Sequence, residues 1–190
     1  MSDERGEGGR EDRRTAILDA AIAVLEREGA AGFKQTRIAE AAALEQGHLT
    51  YYFPKKHDLA IATFEHFSMR SREALRESIA EERVPLSAKR LLALVGALVR
   101  DHKRTRVLLS LVLSAGADRA LADRAAAFIE MQRATFAQLL GRKAGDLDAE
   151  VALAALRGIG LEQMLLGGDD RHVEARIARI AAWLERSERR

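Results

Sequence analysis

Apolar residues recur along most of this chain at the three- and four-residue spacing of an α-helix. Ile17, Ala20, Ala21, Val24 and Leu25 form one stripe, which predicts a helix over 13–28 ended by Gly29. Two short helices follow. Over 36–42, Ile38, Ala39 and Ala42 share a face; over 46–52, Leu49 and Phe53 are the inward pair. Phe33 is expected to plug the same small core. Pro54 parts the second short helix from a longer one over 56–83. Val84-Pro85-Leu86 is the clearest break, with Ser87 a natural cap for the next helix. Helices are then predicted over 87–101, 105–115, 118–140, 148–166 and 170–187, divided by Gly116, by Gly141 with Gly145, and by Gly167-Gly168. The expectation is an all-α chain of about nine helices. A disordered tail over 1–12 precedes a helix-turn-helix domain over 13–59. The fourth helix continues as a connector to about 83, and a larger helical domain spans 86–190.

Two patterns ask for more than a fold. With Leu49 and Phe53 turned inward, the 46–52 helix leaves Gln46, His48, Thr50 and Tyr51 outside, while Tyr52 is expected to be partly buried. Amide, imidazole, hydroxyl and phenol groups on one short helix suit base edges and phosphates, so this helix reads as the recognition helix. The 148–166 segment is apolar on nearly every side and must be covered on more than one face. Ala154 and Gly158 would let another backbone approach closely, with Leu161 on the same helix. Val173, Ile177, Ile180 and Leu184 repeat at helical period on the last one. These residues form a candidate homodimer interface of two helices from each subunit; a two-layer core within one chain is the other way to cover them.

Composition refines this picture. Hydrophobic residues at 47% suffice for a core, and 5% aromatic makes that core aliphatic. A net charge of +2 says little about nucleic acid. From Lys34 to Lys56, however, the cations Lys34, Arg37, Lys55 and Lys56 outnumber the carboxylates of Glu40 and Glu45. Arg10, Arg13 and Arg14 are candidates for a minor-groove arm. Asp3, Glu4, Glu7, Glu11 and Asp12 offset their charge, and the stretch is read as a solvated tail. The absence of cysteine excludes disulfides and thiolate chemistry. The N-terminus has no apolar segment of a signal peptide, and no apolar run of about 18 residues exists, so a soluble cytoplasmic protein is expected.

From Ile17 to Leu59 the chain resembles the N-terminal domain of the TetR/AcrR family of bacterial transcriptional regulators. The resemblance rests on ILDAAIAVLEREG, IAEAA, GHLTYYF and KKHDL, at the expected distances from one another. The candidate DNA contacts are Lys34, Thr36, Arg37, Gln46, Gly47, His48, Thr50, Tyr51 and Lys56, and the resemblance implies that Lys56 grips phosphate. It also implies dimerisation through the last two helices and a ligand-responsive repressor on a palindromic double-stranded operator. There are departures. Ala43 stands where the family has glycine in the turn; if left-handed, that alanine costs roughly 1 kcal/mol. Thr50 stands where a phosphate-contacting tyrosine is common. Lys34 and Lys55 replace the caps of the second and fourth helices, unless Gln35 or Thr36 takes over the first.

The candidate chemistry is otherwise sparse. His57, His66, His102 and His172 show no metal-ligand spacing, and there is no nucleophile elbow or phosphate-cradling glycine loop. No cofactor, metal or enzymatic activity is expected. Phe67, Leu92, Leu109, Phe128, Met131 and Met164 are candidates to line a pocket for a small, largely apolar effector. His66 or Arg157 would supply its polarity. The alternative function is an all-α dimeric interaction protein without specific DNA binding, in which the exposed Gln46/His48/Thr50/Tyr51 set has no purpose.

Overall fold

The computed structural model describes residues 4–114, 118–167 and 169–187. Among them are nine α-helices and no strand: α1 (Glu4–Glu28), α2 (Gln35–Ala41), α3 (Gln46–Tyr52), α4 (Lys56–Ser78), α5 (Ala88–Val99), α6 (His102–Ser114), α7 (Arg119–Leu139), α8 (Leu147–Leu166) and α9 (Asp170–Ser187). A 3-10 turn, Gly29–Gly32, follows α1. Gly116 and Gly168, expected to divide helices, lie outside the described residues, as does the start of the expected tail.

The helices form two units. The first runs to Arg72 and takes in Arg106–Ala125; the second comprises Glu73–Thr105 and Ala126 onward. This corrects the expected boundary at residue 86, and side-chain ties within the first unit explain why. Arg106 donates to the carbonyls of Glu26 and Arg27, which the end of α1 leaves unpaired. Asp118 meets His57, and Arg124 pairs with Glu65 on α4. Asp118 also caps α7 through the Leu121 N–H. That hydrogen bond first, then His57, holds the Asp118 carboxyl below its ordinary pKa against the opposing effect of desolvation.

In the first unit α1 packs on α2, and α2 on α3. Ile17, Ala21, Val24, Leu25, Ile38, Leu49 and Leu59 are fully buried, with Phe33 and Phe53 nearly so. Two expectations about length are corrected. Residues 4–12 are helical rather than a disordered tail, because they continue α1 without a break. α4 stops at Ser78 rather than near 83. There Arg90 holds the Glu82 carboxylate, with Nε 2.8 Å from Oε1, and Pro85 disfavours helical backbone just before it.

The second unit buries Leu86, Leu91 and Leu92 with Phe136, Leu140, Ala152, Leu156, Ile159, Val173, Ile177 and Leu184. α5, α8 and α9 pack on one another. Gly96 on α5 allows the close approach of α9, since a methyl there would meet Ile177 at 2.8 Å. Arg142 fastens the end of α9, donating to the Leu184 carbonyl (3.1 Å), Ser187 Oγ (3.0 Å) and Asp146 Oδ1 (3.0 Å). Ser87 and Asp146 cap α5 and α8 by accepting from the Arg90 and Ala149 N–H groups.

Candidate nucleic-acid interface

α3 is short, and its orientation is set by what lies on either side of it. Leu49 is fully buried and Phe53, just past its end, is 2% exposed, so these two side chains anchor the inner face. Gln35 on α2 donates its amide to the Phe53 carbonyl at 2.9 Å, satisfying an acceptor the helix end leaves open. Gln35 is therefore not the cap of α2. Lys34 occupies that position with no capping hydrogen bond, and Glu45 likewise begins α3 uncapped.

The α2–α3 turn closes with the Leu44 N–H on the Ala39 carbonyl (2.9 Å) and the Ala43 N–H on the Glu40 carbonyl (3.1 Å). This is the Schellman pattern, whose penultimate residue is left-handed and usually glycine. Here that residue is Ala43, at φ +53°.

The outer face of α3 carries Gln46, Gly47, His48 and Tyr51, all exposed, Tyr51 at 67%. Tyr52 is half-buried and meets Tyr51 edge-on at 5.3 Å. A side chain added at Gly47 would meet nothing within 4 Å, so the start of the helix is open to close approach. Thr50 fits the expected set less well. It is half-buried, and its hydroxyl donates to the carbonyls of Gln46 and Gly47 (3.1 and 2.9 Å), so as placed its proton is not free for a phosphate.

Around this helix Lys34, Thr36, Arg37 and Lys56 are exposed. Arg37 is 3.5 Å from Glu40, which offsets part of its charge. Lys56 begins α4 with its ammonium 5.9 Å from the centre of the Phe33 ring. Two further cations reach the helix from α1. The Arg10 guanidinium lies 5.7 Å from the Tyr51 ring centre, and that of Arg14 4.8 Å from the Phe53 ring centre. Both were set aside with the tail. The signal that would have found them is their four-residue spacing, which extends the Ile17–Ala21 stripe toward the N-terminus.

The tetR family of bacterial regulatory proteins matches residues 17–63. A TetR-family member from Streptomyces coelicolor A3 is 25% identical with a TM-score of 0.66, covering 88% of this chain and 97% of its own. The multidrug binding protein EbrR, complexed with ethidium, is 26% identical with a TM-score of 0.65, covering 88% and 98%. A transcriptional regulator from Saccharomonospora viridis in complex with choline shares the fold at 21% identity and a TM-score of 0.70, covering 93% and 96%. Over residues 17–63 the chain is similar to the tetR family, and it shares the fold of these regulators. No curated protein sequence matches it closely enough to count as a relative. The TetR family is one of DNA-binding regulators rather than enzymes, and α2–turn–α3 lies within the segment similar to it. Among the described residues no helix of this chain is long and apolar enough to cross a membrane.

The other predicted site residues fall in two groups. On α8, Ala154 and Gly158 are exposed and Leu161 half-buried; on α9, Ile180 is half-buried. Val173, Ile177 and Leu184 are a correction to the expected dimer face: they are 3%, 7% and 0% exposed because they fill the second unit's own core. Between α8 and α9 runs an open groove of about 530 Å³, lined by Ala155, Gly158, Glu162, Arg176, Arg179 and Ile180 among others. Arg176 bridges it to Glu162 at 2.5 Å.

Of the effector candidates, His66, Phe67 and Leu109 belong to the first unit. His66 is buried with Nε2 2.8 Å from Asp19 Oδ1, which also accepts from Arg70 at 2.6 Å. That engagement ties α4 to α1 and corrects the expectation of a free polar group for a ligand. Phe67 is buried and Leu109 half-buried. Leu92, Phe128, Met131, Arg157 and Met164 belong to the second unit. Leu92 is sealed in its core, a further correction, and Phe128 is buried; Met131 and Met164 are half-buried. Arg157 donates to Gln132 at 2.7 Å. Desolvation, then the charge of Arg133, lowers its pKa.

Proposed function

We propose that the chain is a sequence-specific repressor that binds a palindromic operator as a homodimer and releases it when a small, largely apolar effector binds. The observation that carries the reading is the two-sidedness of α3, with Leu49 and Phe53 holding one face inside while Gln46, Gly47, His48 and Tyr51 stand free on the other. Gln46 and His48 are assigned to base edges, and Lys34, Thr36, Arg37, Tyr51 and Lys56 to the sugar–phosphate backbone.

Dimerisation is supported by the outer row of α8. Leu147, Val151, Ala154, Gly158 and Leu165 follow one another at helical spacing, and Leu147, Val151 and Leu165 are 75%, 56% and 69% exposed. A row of that kind is stabilised when a second copy covers it. Two-fold symmetry would set the half-sites about 34 Å apart, or a multiple of that. An effector is supported by the ligands named with EbrR and the S. viridis regulator. To release DNA, it must bind the DNA-free conformation more tightly than the bound one. The protein would act in the cytoplasm.

The test is selection of bound duplexes from a random-sequence DNA pool, followed by titration of the enriched sequence. A two-fold symmetric motif bound in the nanomolar range supports the reading. A pool that yields no enriched motif overturns it in favour of an all-α interaction protein without specific DNA binding.

A further inference from the structure

We propose that the first turns of α1 are a third DNA-contacting element, in which Arg10 and Arg14 grip backbone phosphates beside the recognition helix. This deepens the DNA-binding reading and rests on it. Read as a sequence, residues 1–14 look neutralised because acids and bases alternate. A helix undoes that cancellation over residues 10–14. At about 100° per residue, Arg10 and Arg14 fall within about 40° of each other, with Arg13 about 60° to the other side of Arg10. Glu11 and Asp12 are turned about 100° and 200° away from Arg10. Between residues 10 and 14 the cations therefore gather on one face while Glu11 and Asp12 turn off it.

That face is the one directed at α3. The Arg10 guanidinium lies over Tyr51 and that of Arg14 over Phe53, at 5.7 and 4.8 Å from the ring centres. Among the described side chains neither pairs with a carboxylate. In the same unit Arg37, Arg70 and Arg124 each do, with Glu40, Asp19 and Glu65. A guanidinium parked on a ring keeps its charge and is held in orientation. Its N–H edge stays free, in the planar fork that matches a phosphate. Lys56 repeats the arrangement over Phe33. Three cations are thus held against the aromatic rings of the helix-turn-helix, and Tyr51 itself is on the exposed face of α3. The occupant with complementary charge is the phosphate backbone flanking the groove that α3 enters.

The test uses the full chain and titrates it, over a series of salt concentrations, into a labelled random-sequence duplex and into its selected operator. Variants are Arg10→Ala, Arg14→Met, which keeps the alkyl cover over Phe53, and Arg76→Ala as a charge control on α4. Thermal melting confirms that each is folded. Arg10→Ala and Arg14→Met should each reduce the slope of log affinity against log salt by about 1 and weaken both duplexes by a similar factor. Arg76→Ala should leave the slope in place. Slopes for Arg10→Ala and Arg14→Met that match the wild type overturn the proposal while leaving the DNA-binding reading intact. Should Arg14→Met not fold, Arg10→Ala decides alone, since Arg10 is exposed. A wild-type protein that binds neither duplex even at low salt overturns both.

Discussion

α3 and α8 bury their inner faces in the same way and differ in what they leave outside. α3 anchors itself with Leu49 and Phe53 and presents amide, imidazole and phenol. α8 buries Ala149, Ala152, Leu153, Leu156 and Ile159, and presents Leu147, Val151, Ala154, Gly158 and Leu165. The outer chemistry distinguishes their partners. Hydrogen-bonding groups on a rigid short helix lose little by standing in water and gain specificity against base edges. An exposed aliphatic row is costly in water, at about 25 cal/mol for each Å² left uncovered, and is relieved by a matching apolar surface. On the proposed function, one helix reads and the other is covered.

The largest effect that would break this contrast is a charge placed on the covered helix. A Cβ added at Gly158 meets nothing within 4 Å in the isolated chain and the position opens on a groove, so the fold of each unit should survive Gly158→Glu. Across an interface the carboxylate would be buried without a partner. Sedimentation should show a monomer, and operator affinity should fall by about a hundredfold or more as the two half-sites are no longer bound together. A Gly158→Glu protein that remains a dimer removes α8 from the interface.

A smaller effect tests the reading helix. Gln46→Ala should cost about 1–3 kcal/mol against the selected operator, with little change against random DNA or in stability. Equal losses on both duplexes would make Gln46 a backbone contact and remove the base-reading role from its end of α3.

The contrast also shows what the sequence could carry. Helix period and the Leu49/Phe53 pair identified α3 to the residue, because burial on so short a helix leaves one way round for it. The same logic misplaced Val173, Ile177 and Leu184. A clean stripe on α9 shows that the face is covered, and the stripe is the same whether α5 of its own chain or a second subunit covers it. His66 was misjudged for a related reason, since its partner Asp19 is 47 residues away on another helix. The unit boundary was hidden because Arg106, Asp118 and Arg124 act through contacts with residues 59 to 80 positions distant in sequence. The arginines of α1 were lost when charge was summed along a line instead of around a helix.

On the α8 side the helix start depends on a titrating cap. Burial pushes the Asp146 carboxyl up, but the Ala149 N–H and the Arg142 guanidinium outweigh it, so its pKa lies below the ordinary value. A carboxyl depressed on folding contributes stability that is complete above the unfolded pKa, about 3.9, and is lost as pH falls through the lower folded value. Urea unfolding of the wild type should therefore show a midpoint that drops through this acid window. Asp146→Asn keeps the N-cap geometry but loses the charge, and should flatten that part of the profile. An unchanged acid limb would assign the loss to other carboxyls.

The smallest effect lies in the turn that aims α3. Ala43 completes the Schellman closure at φ +53°, where its Cβ crowds the following carbonyl at a cost of about 1–2 kcal/mol. Glycine removes that crowding but gives the unfolded chain more freedom, worth about 0.4–1 kcal/mol in the opposite sense. Ala43→Gly should thus raise the urea midpoint by an amount equivalent to less than about 1.5 kcal/mol, with the slope of the transition unchanged. Operator preference should stay as it is, because the hydrogen bonds that set the turn are those of the backbone. A lower midpoint would mean that the turn relaxes away from the left-handed conformation in solution. The aim of α3 would then depend on the buried Leu49 and Phe53 and on the Gln35 bridge to the Phe53 carbonyl, and no longer on the turn.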